Sequence, residues 1–125
     1  MGCLTLEASL SSYKDLTAWQ KAMTLVEMVY VATGEFPKHE TYGLASQMRR
    51  AAVSVPSNVA EGQVRFSKRD SRHFLRLSRG SLAELETQVL IAQRLKYIDG
   101  NSSETMLSSI DELSRILSGL ISSIS

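Results

Sequence analysis

Arg69, Arg72, Arg76 and Arg79 follow one another at intervals of three, four and three residues, the spacing that places side chains on one face of an α-helix. A guanidinium group presents a planar fork of donors that fits a phosphate in bidentate fashion, so a row of four suits a nucleic-acid backbone. Arg65 and Lys68 extend the row at its start. Between Arg65 and Arg79 six cations stand against Asp70 alone, a local charge of +5 in a chain whose total is +1. The remainder is therefore acidic, and the charge is polarised along the sequence. Charged helix stripes also serve as solvated or subunit-contact faces paired with carboxylates, and both readings stay open on sequence alone. They differ in one respect, since phosphate binding weakens steeply with salt. Arg50 is a further candidate for the basic surface. Adjacent helical residues point about 100° apart, so only one of Arg49 and Arg50 can share it.

Elsewhere the chemistry-bearing residues are sparse. Asn58 and Glu61 stand one turn apart between Pro56 and Gly62. A proline frees a carbonyl of the preceding turn, and nearby polar side chains satisfy it or hold an arginine, so these four residues read as a structural motif. An isolated Asn and Glu lack the nucleophile or metal that catalysis would need. Asp70 and His73 form a D-x-x-H pair, but a di-metal site in a bundle requires two Glu-x-x-His pairs, and no second pair occurs. Asp70 is better placed as an anion at a helix N-terminus. His39 lies in a connection without a ligand-spaced partner. Cys3 is the only cysteine, so neither an internal disulfide nor a cysteine-based zinc site can form. With no P-loop, H-E-x-x-H or dinucleotide fingerprint, the expectation is a non-enzyme with no metal and no cofactor.

The elements that position these residues are helical throughout. The first opens at Asp15, with apolar residues at Leu16, Trp19, Met23, Val26 and Tyr30, and ends before Gly34 and Pro37. The second places Leu44, Met48, Ala51, Val55, Val59 and Gly62 in helical phase through Pro56, where a kink is expected. Ser67 and Asp70 match a capping box ahead of a third and longest helix, with an inner stripe of Leu75, Ser78, Leu82, Leu85, Val89, Ala92 and Leu95. Asp99-Gly100-Asn101 is a turn signal, Asn101 and Glu104 read as the cap of the fourth helix, and Met106, Ile110, Leu113, Leu117, Leu120 and Ile124 form its seam. Trp19, Tyr30 and Phe74 read as core or subunit-contact aromatics. Four helices with short connections imply an all-α, antiparallel up-down-up-down four-helix bundle.

The 125 residues suffice for one domain, read as a flexible tail over 1–12 and a bundle over 13–125. The tail has no basic region ahead of an apolar one, and Leu6 stands where myristoylation wants Ser or Thr, so neither a secretory signal nor a lipid anchor is expected. No apolar run reaches the ~20 residues of a membrane span, and the lone cysteine suits a reducing compartment. A cytoplasmic location follows as the expectation. Leu25 and Met28 on the first helix, and Phe74 and Leu77 on the third, lie off the assigned stripes, and such surplus apolar surface implies a partner.

Several segments carry a family resemblance. They are Asp15-Leu16 with Ala18-Trp19-Gln20-Lys21-Ala22, then Phe36-Pro37, Tyr42-Gly43-Leu44 and Gln47-Met48-Arg49-Arg50-Ala51-Ala52. The most specific is Ser54-Val55-Pro56-Ser57-Asn58-Val59-Ala60-Glu61-Gly62, which Ser81 to Gln88 extends. From about Tyr13 to Gly100 the chain resembles the bacterial four-helix-bundle proteins that include those encoded in intervening sequences of 23S ribosomal RNA genes. It is also similar to the accessory variability proteins of diversity-generating retroelements. The resemblance implies a bundle assembling into a cyclic homo-oligomer, a pentamer, and basic surfaces that bind nucleic acid and a protein partner. Together the residues and the resemblance lead to an expected function, an oligomeric accessory protein binding RNA or DNA with little sequence preference. The alternative is a protein-protein adaptor or assembly scaffold with no nucleic-acid role.

Overall fold

Helical periodicity of this kind can be satisfied only by burying each stripe against the others. The computed structural model describes residues 12–124. In it a 3-10 turn at Tyr13–Asp15 precedes α1 (Thr17–Thr33), another at Lys38–Glu40 precedes α2 (Leu44–Val64), and α3 (Lys68–Arg94) and α4 (Gly100–Ser123) follow. Among the described residues there is no strand, and no helix is long and apolar enough to cross a membrane. Cys3 and the tail as far as residue 11 lie outside the described residues.

Each helix packs on its neighbours in sequence, and α4 returns to α1. The cross-helix contacts pair rising with falling numbers: Ser71 with Gly62 and Ser78 with Val55, Arg72 with Ile124 and Arg79 with Ser118, Lys21 with Glu112 and Met28 with Ser109. Neighbouring helices therefore run antiparallel. Leu25, Met48, Leu82, Leu85, Leu113 and Leu117 are almost inaccessible at the centre, each contributing about 1.5 to 3 kcal/mol by leaving water.

Four local expectations are corrected. Asp15 belongs to the first 3-10 turn, which closes with Leu16 N–H on the Tyr13 carbonyl, so α1 starts at Thr17 without a side-chain cap. Its buried stripe is Ala18, Ala22, Leu25, Val29 and Thr33. Small residues there let α1 approach its neighbours, while Trp19 and Val26 flank the seam and Met23 and Tyr30 are 40% and 45% exposed. Leu25 is thus core, and Met28 packs against it. The fourth helix is capped by Asp99, whose carboxylate accepts Ser102 N–H at 2.7 Å, and Asn101 lies inside the helix. At the end of α3, Lys96 takes a left-handed turn (φ 64°) and sends Leu95 outward.

α2 continues through Pro56. Around the missing donor Ser57 Oγ donates to the Val53 carbonyl at 2.8 Å and Asn58 Nδ2 to the Ser54 carbonyl at 2.9 Å. At Gly62 the α2 and α3 backbones nearly touch. A Cβ there would stand 3.2 Å from the Ser71 carbonyl and 3.5 Å from Leu75 Cγ, and Ser71 Oγ donates to the Gly62 carbonyl at 2.5 Å. This close approach fixes the direction in which α3 leaves the connection.

Candidate nucleic-acid interface

α3 begins at Lys68 because Ser67 caps it, its hydroxyl accepting Asp70 N–H at 3.0 Å. Asp70 places its carboxylate in the first turn, where it meets the positive end of the helix dipole. From this start the arginines divide into two rows. Residues seven apart on a helix lie about 20° apart around its axis, so Arg69 and Arg76 form one row and Arg72 and Arg79 another, turned by about 60°.

The second row leans on α4. Arg72 Nη1 donates to the Ile124 carbonyl at 3.1 Å, and Arg79 Nη1 to Ser118 Oγ at 3.3 Å. Arg72 thereby satisfies a carbonyl at the C-terminal end of α4, where a cation also meets the negative end of that helix. Both arginines are partly buried, whereas Lys68, Arg69 and Arg76 are exposed. Arg65 is engaged within the chain, since its Nη2 lies 2.5 Å from Glu61 Oε1 and its guanidinium carbon sits 4.6 Å from the centre of the Phe74 ring. Among the described residues the ion pairs are Lys21–Glu112, Arg65–Glu61 and Arg115–Asp111, so none neutralises Lys68, Arg69, Arg72, Arg76 or Arg79.

Arg50 does not join this surface. The α2–α3 register set by Gly62 with Ser71 and Ser54 with Ser81 carries Arg50 beyond the level of Arg79. It lines instead a groove of about 670 Å³ with Tyr30, Tyr42, Ser46 and Arg49 at the other end of the bundle. Arg49 is held there by Thr33 Oγ1 at 2.8 Å and by the Tyr30 ring, 4.7 Å from its guanidinium carbon. His73 lies edge-on to Phe74, with ring centres 5.3 Å apart, and among the described residues no cluster of three or more His, Cys, Asp or Glu could hold a metal ion.

Two features escape a reading of the sequence by spacing. Phe66, in the connection just ahead of the cationic rows, is fully exposed, and its signal was an aromatic residue in the middle of a charged connection. At the opposite end Glu40 joins two elements, accepting Leu44 N–H at 3.0 Å and the Tyr97 hydroxyl at 2.9 Å. The Leu44 N–H and the Tyr97 hydroxyl hold the Glu40 carboxyl below the usual carboxylate value, and the same bond to Glu40 pushes the Tyr97 hydroxyl up.

The bundle has a solved counterpart in a protein of unknown function from the S23 ribosomal protein family of Bacteroides thetaiotaomicron. The two are 19% identical with a TM-score of 0.76, over 84% of this chain and 95% of that one. At that identity the likeness establishes the fold. No curated protein matches the chain. The sequence itself matches the family described as 23S rRNA-intervening sequence protein over residues 14–119, which takes in all four helices almost to the end of α4. The chain belongs to the 23S rRNA-intervening sequence protein family.

Proposed function

We propose that this protein is an oligomeric accessory module that binds RNA or DNA with little sequence preference, through the outer face of the first half of α3. The observation that carries this reading is the absence of any carboxylate paired with Lys68, Arg69, Arg72, Arg76 or Arg79 within the described chain. Clustered guanidinium groups left in this state release counterions when they meet phosphates. Lys68, Arg69 and Arg76 make the direct contacts, and Arg72 and Arg79, anchored on α4, contribute field and their remaining N–H groups. Backbone contacts position a nucleic acid without reading its sequence.

Assembly would multiply such a surface. α1 and α2 leave an apolar groove of about 320 Å³ lined by Trp19, Met23, Val26, Val53, Pro56 and Ala60, and we assign it to contact with further copies in a cyclic homo-oligomer, a pentamer. Several linked basic faces raise avidity without a new contact. Light scattering should give a mass several times that of one chain, and a monomer at high micromolar concentration would contradict the assembly. Binding is tested by a gel-shift titration across salt. If about three phosphates are neutralised per protomer, log K should fall with log salt at a slope near −2.7 for a duplex. An absence of binding at low salt would leave the scaffold reading in its place.

A further inference from the structure

Phe66 has a relative accessibility of 107%. Among the described residues no ring stands beside it and no cation covers its face, although Phe74 carries the Arg65 guanidinium and Phe36 packs on Tyr97. It sits between Arg65 and the start of α3, two residues before Lys68 and three before Arg69. That chain length keeps its backbone within about 10 Å of theirs. The acidic groups nearby are Glu61, which is occupied by Arg65, and Asp70 in the first turn of α3.

We infer that Phe66 is a stacking platform for an unpaired base, so that the cations of α3 hold a single strand in preference to a duplex. The inference rests on the nucleic-acid reading above and specifies its substrate. Phosphates alone do not distinguish a single strand from a duplex. A free aromatic face does, because a base in a duplex has both faces covered by its neighbours, whereas an unpaired base offers one to the ring. The surroundings argue against a protein-protein contact centred on the same ring. Cores of such contacts are depleted of charge, and here Val64, 59% exposed at the end of α2, is the nearest apolar residue along the chain, while Arg65, Lys68 and Arg69 flank the ring in sequence.

Fluorescence anisotropy with a homopolymeric RNA strand and an RNA duplex of equal length tests this on the full chain, alongside light scattering. Phe66→Ala and Phe66→Leu should each weaken single-strand binding by roughly five- to a hundredfold, the loss of one base stacked on one ring. Duplex affinity and both salt slopes should stay unchanged, and Phe66→Trp should keep single-strand binding. Leucine retains apolar surface without a flat face, so wild-type affinity in Phe66→Leu would overturn the stacking role. Equal loss on both probes, or a changed oligomer mass in Phe66→Ala, would overturn it as well. If wild type binds neither probe, the nucleic-acid reading fails and takes this inference with it. If wild type binds both with a salt slope and Phe66→Ala matches it, this inference alone fails.

Discussion

The two halves of α3 lie along the same seam but hold it by different means. From Ser81 onward the inward positions are Leu82, Leu85, Val89 and Ala92, all buried in the core, together with the buried amide of Gln88. Before Gly80 the inward positions include Ser71 and Ser78, whose hydroxyls donate to the α2 carbonyls of Gly62 and Val55. Leu75 is the buried aliphatic residue of that half. Hydroxyls fasten the first half to the α2 backbone, and mainly aliphatic side chains fill the seam of the second. The difference largely separates stability from charge: the second half buries more aliphatic side chains, and the first carries Lys68, Arg69 and Arg76 outward.

Substitutions should divide along that line. Leu85→Ala removes a side chain with no accessible surface and should cost about 2 to 5 kcal/mol in urea denaturation. A near-neutral result would break the assignment of the second half as core. Gly62→Leu drives a side chain into the Ser71 carbonyl, Leu75 and Phe74, and a loss of roughly 1 to 3 kcal/mol is expected from overpacking. Ser78→Ala deletes a fully buried hydroxyl bonded at 2.8 Å to the Val55 carbonyl, for which calorimetry should show a loss of about 1 kcal/mol.

The smallest effect concerns the far end of the bundle. The carboxyl of Glu40 is held below its ordinary value of 4.5 by Leu44 N–H and the Tyr97 hydroxyl. Its contribution is therefore complete above that ordinary value and is lost as pH falls through the lowered one. Tyr97, raised above 10.0, loses its part as pH climbs through the raised value. Denaturation midpoints from neutral to acid pH should fall less steeply in Glu40→Gln than in wild type. Equal slopes would show that the Glu40 bonds do not contribute.

Much of this architecture is legible from residue spacing. Ser67 with Asp70 marks the start of α3, and the stripe from Leu75 to Ala92 is the buried one. α1 is less legible because it bears apolar residues on more than one side, so two helical stripes fit its sequence. The larger side chains of Trp19, Met23 and Tyr30 suggest the wrong one, while Ala18 and Ala22, small enough for close packing, occupy the core. Asp99 and Asn101 are both good caps, and only the backbone shows that Asp99 takes the Ser102 N–H. For the basic surface, spacing groups four arginines on one face. It does not show that the long side chains of Arg72 and Arg79 reach across to α4, because that depends on how α4 lies against α3, which brings the Ile124 carbonyl and Ser118 within reach. Arg50 is placed by the α2–α3 register, which one helix alone does not contain.

The division of the arginines into two rows gives the most direct test of the account. Arg69→Ala combined with Arg76→Ala, and Arg72→Ala combined with Arg79→Ala, should be compared by nucleic-acid affinity across salt together with denaturation. The first pair should shallow the salt slope by about two units and leave stability within about 0.5 kcal/mol of wild type. The second pair should lower stability by about 1 kcal/mol or more, as two bonds to α4 are lost. Wild-type affinity and slope in the Arg69→Ala, Arg76→Ala variant, with fold and oligomer intact, would contradict the claim that the exposed row binds phosphate.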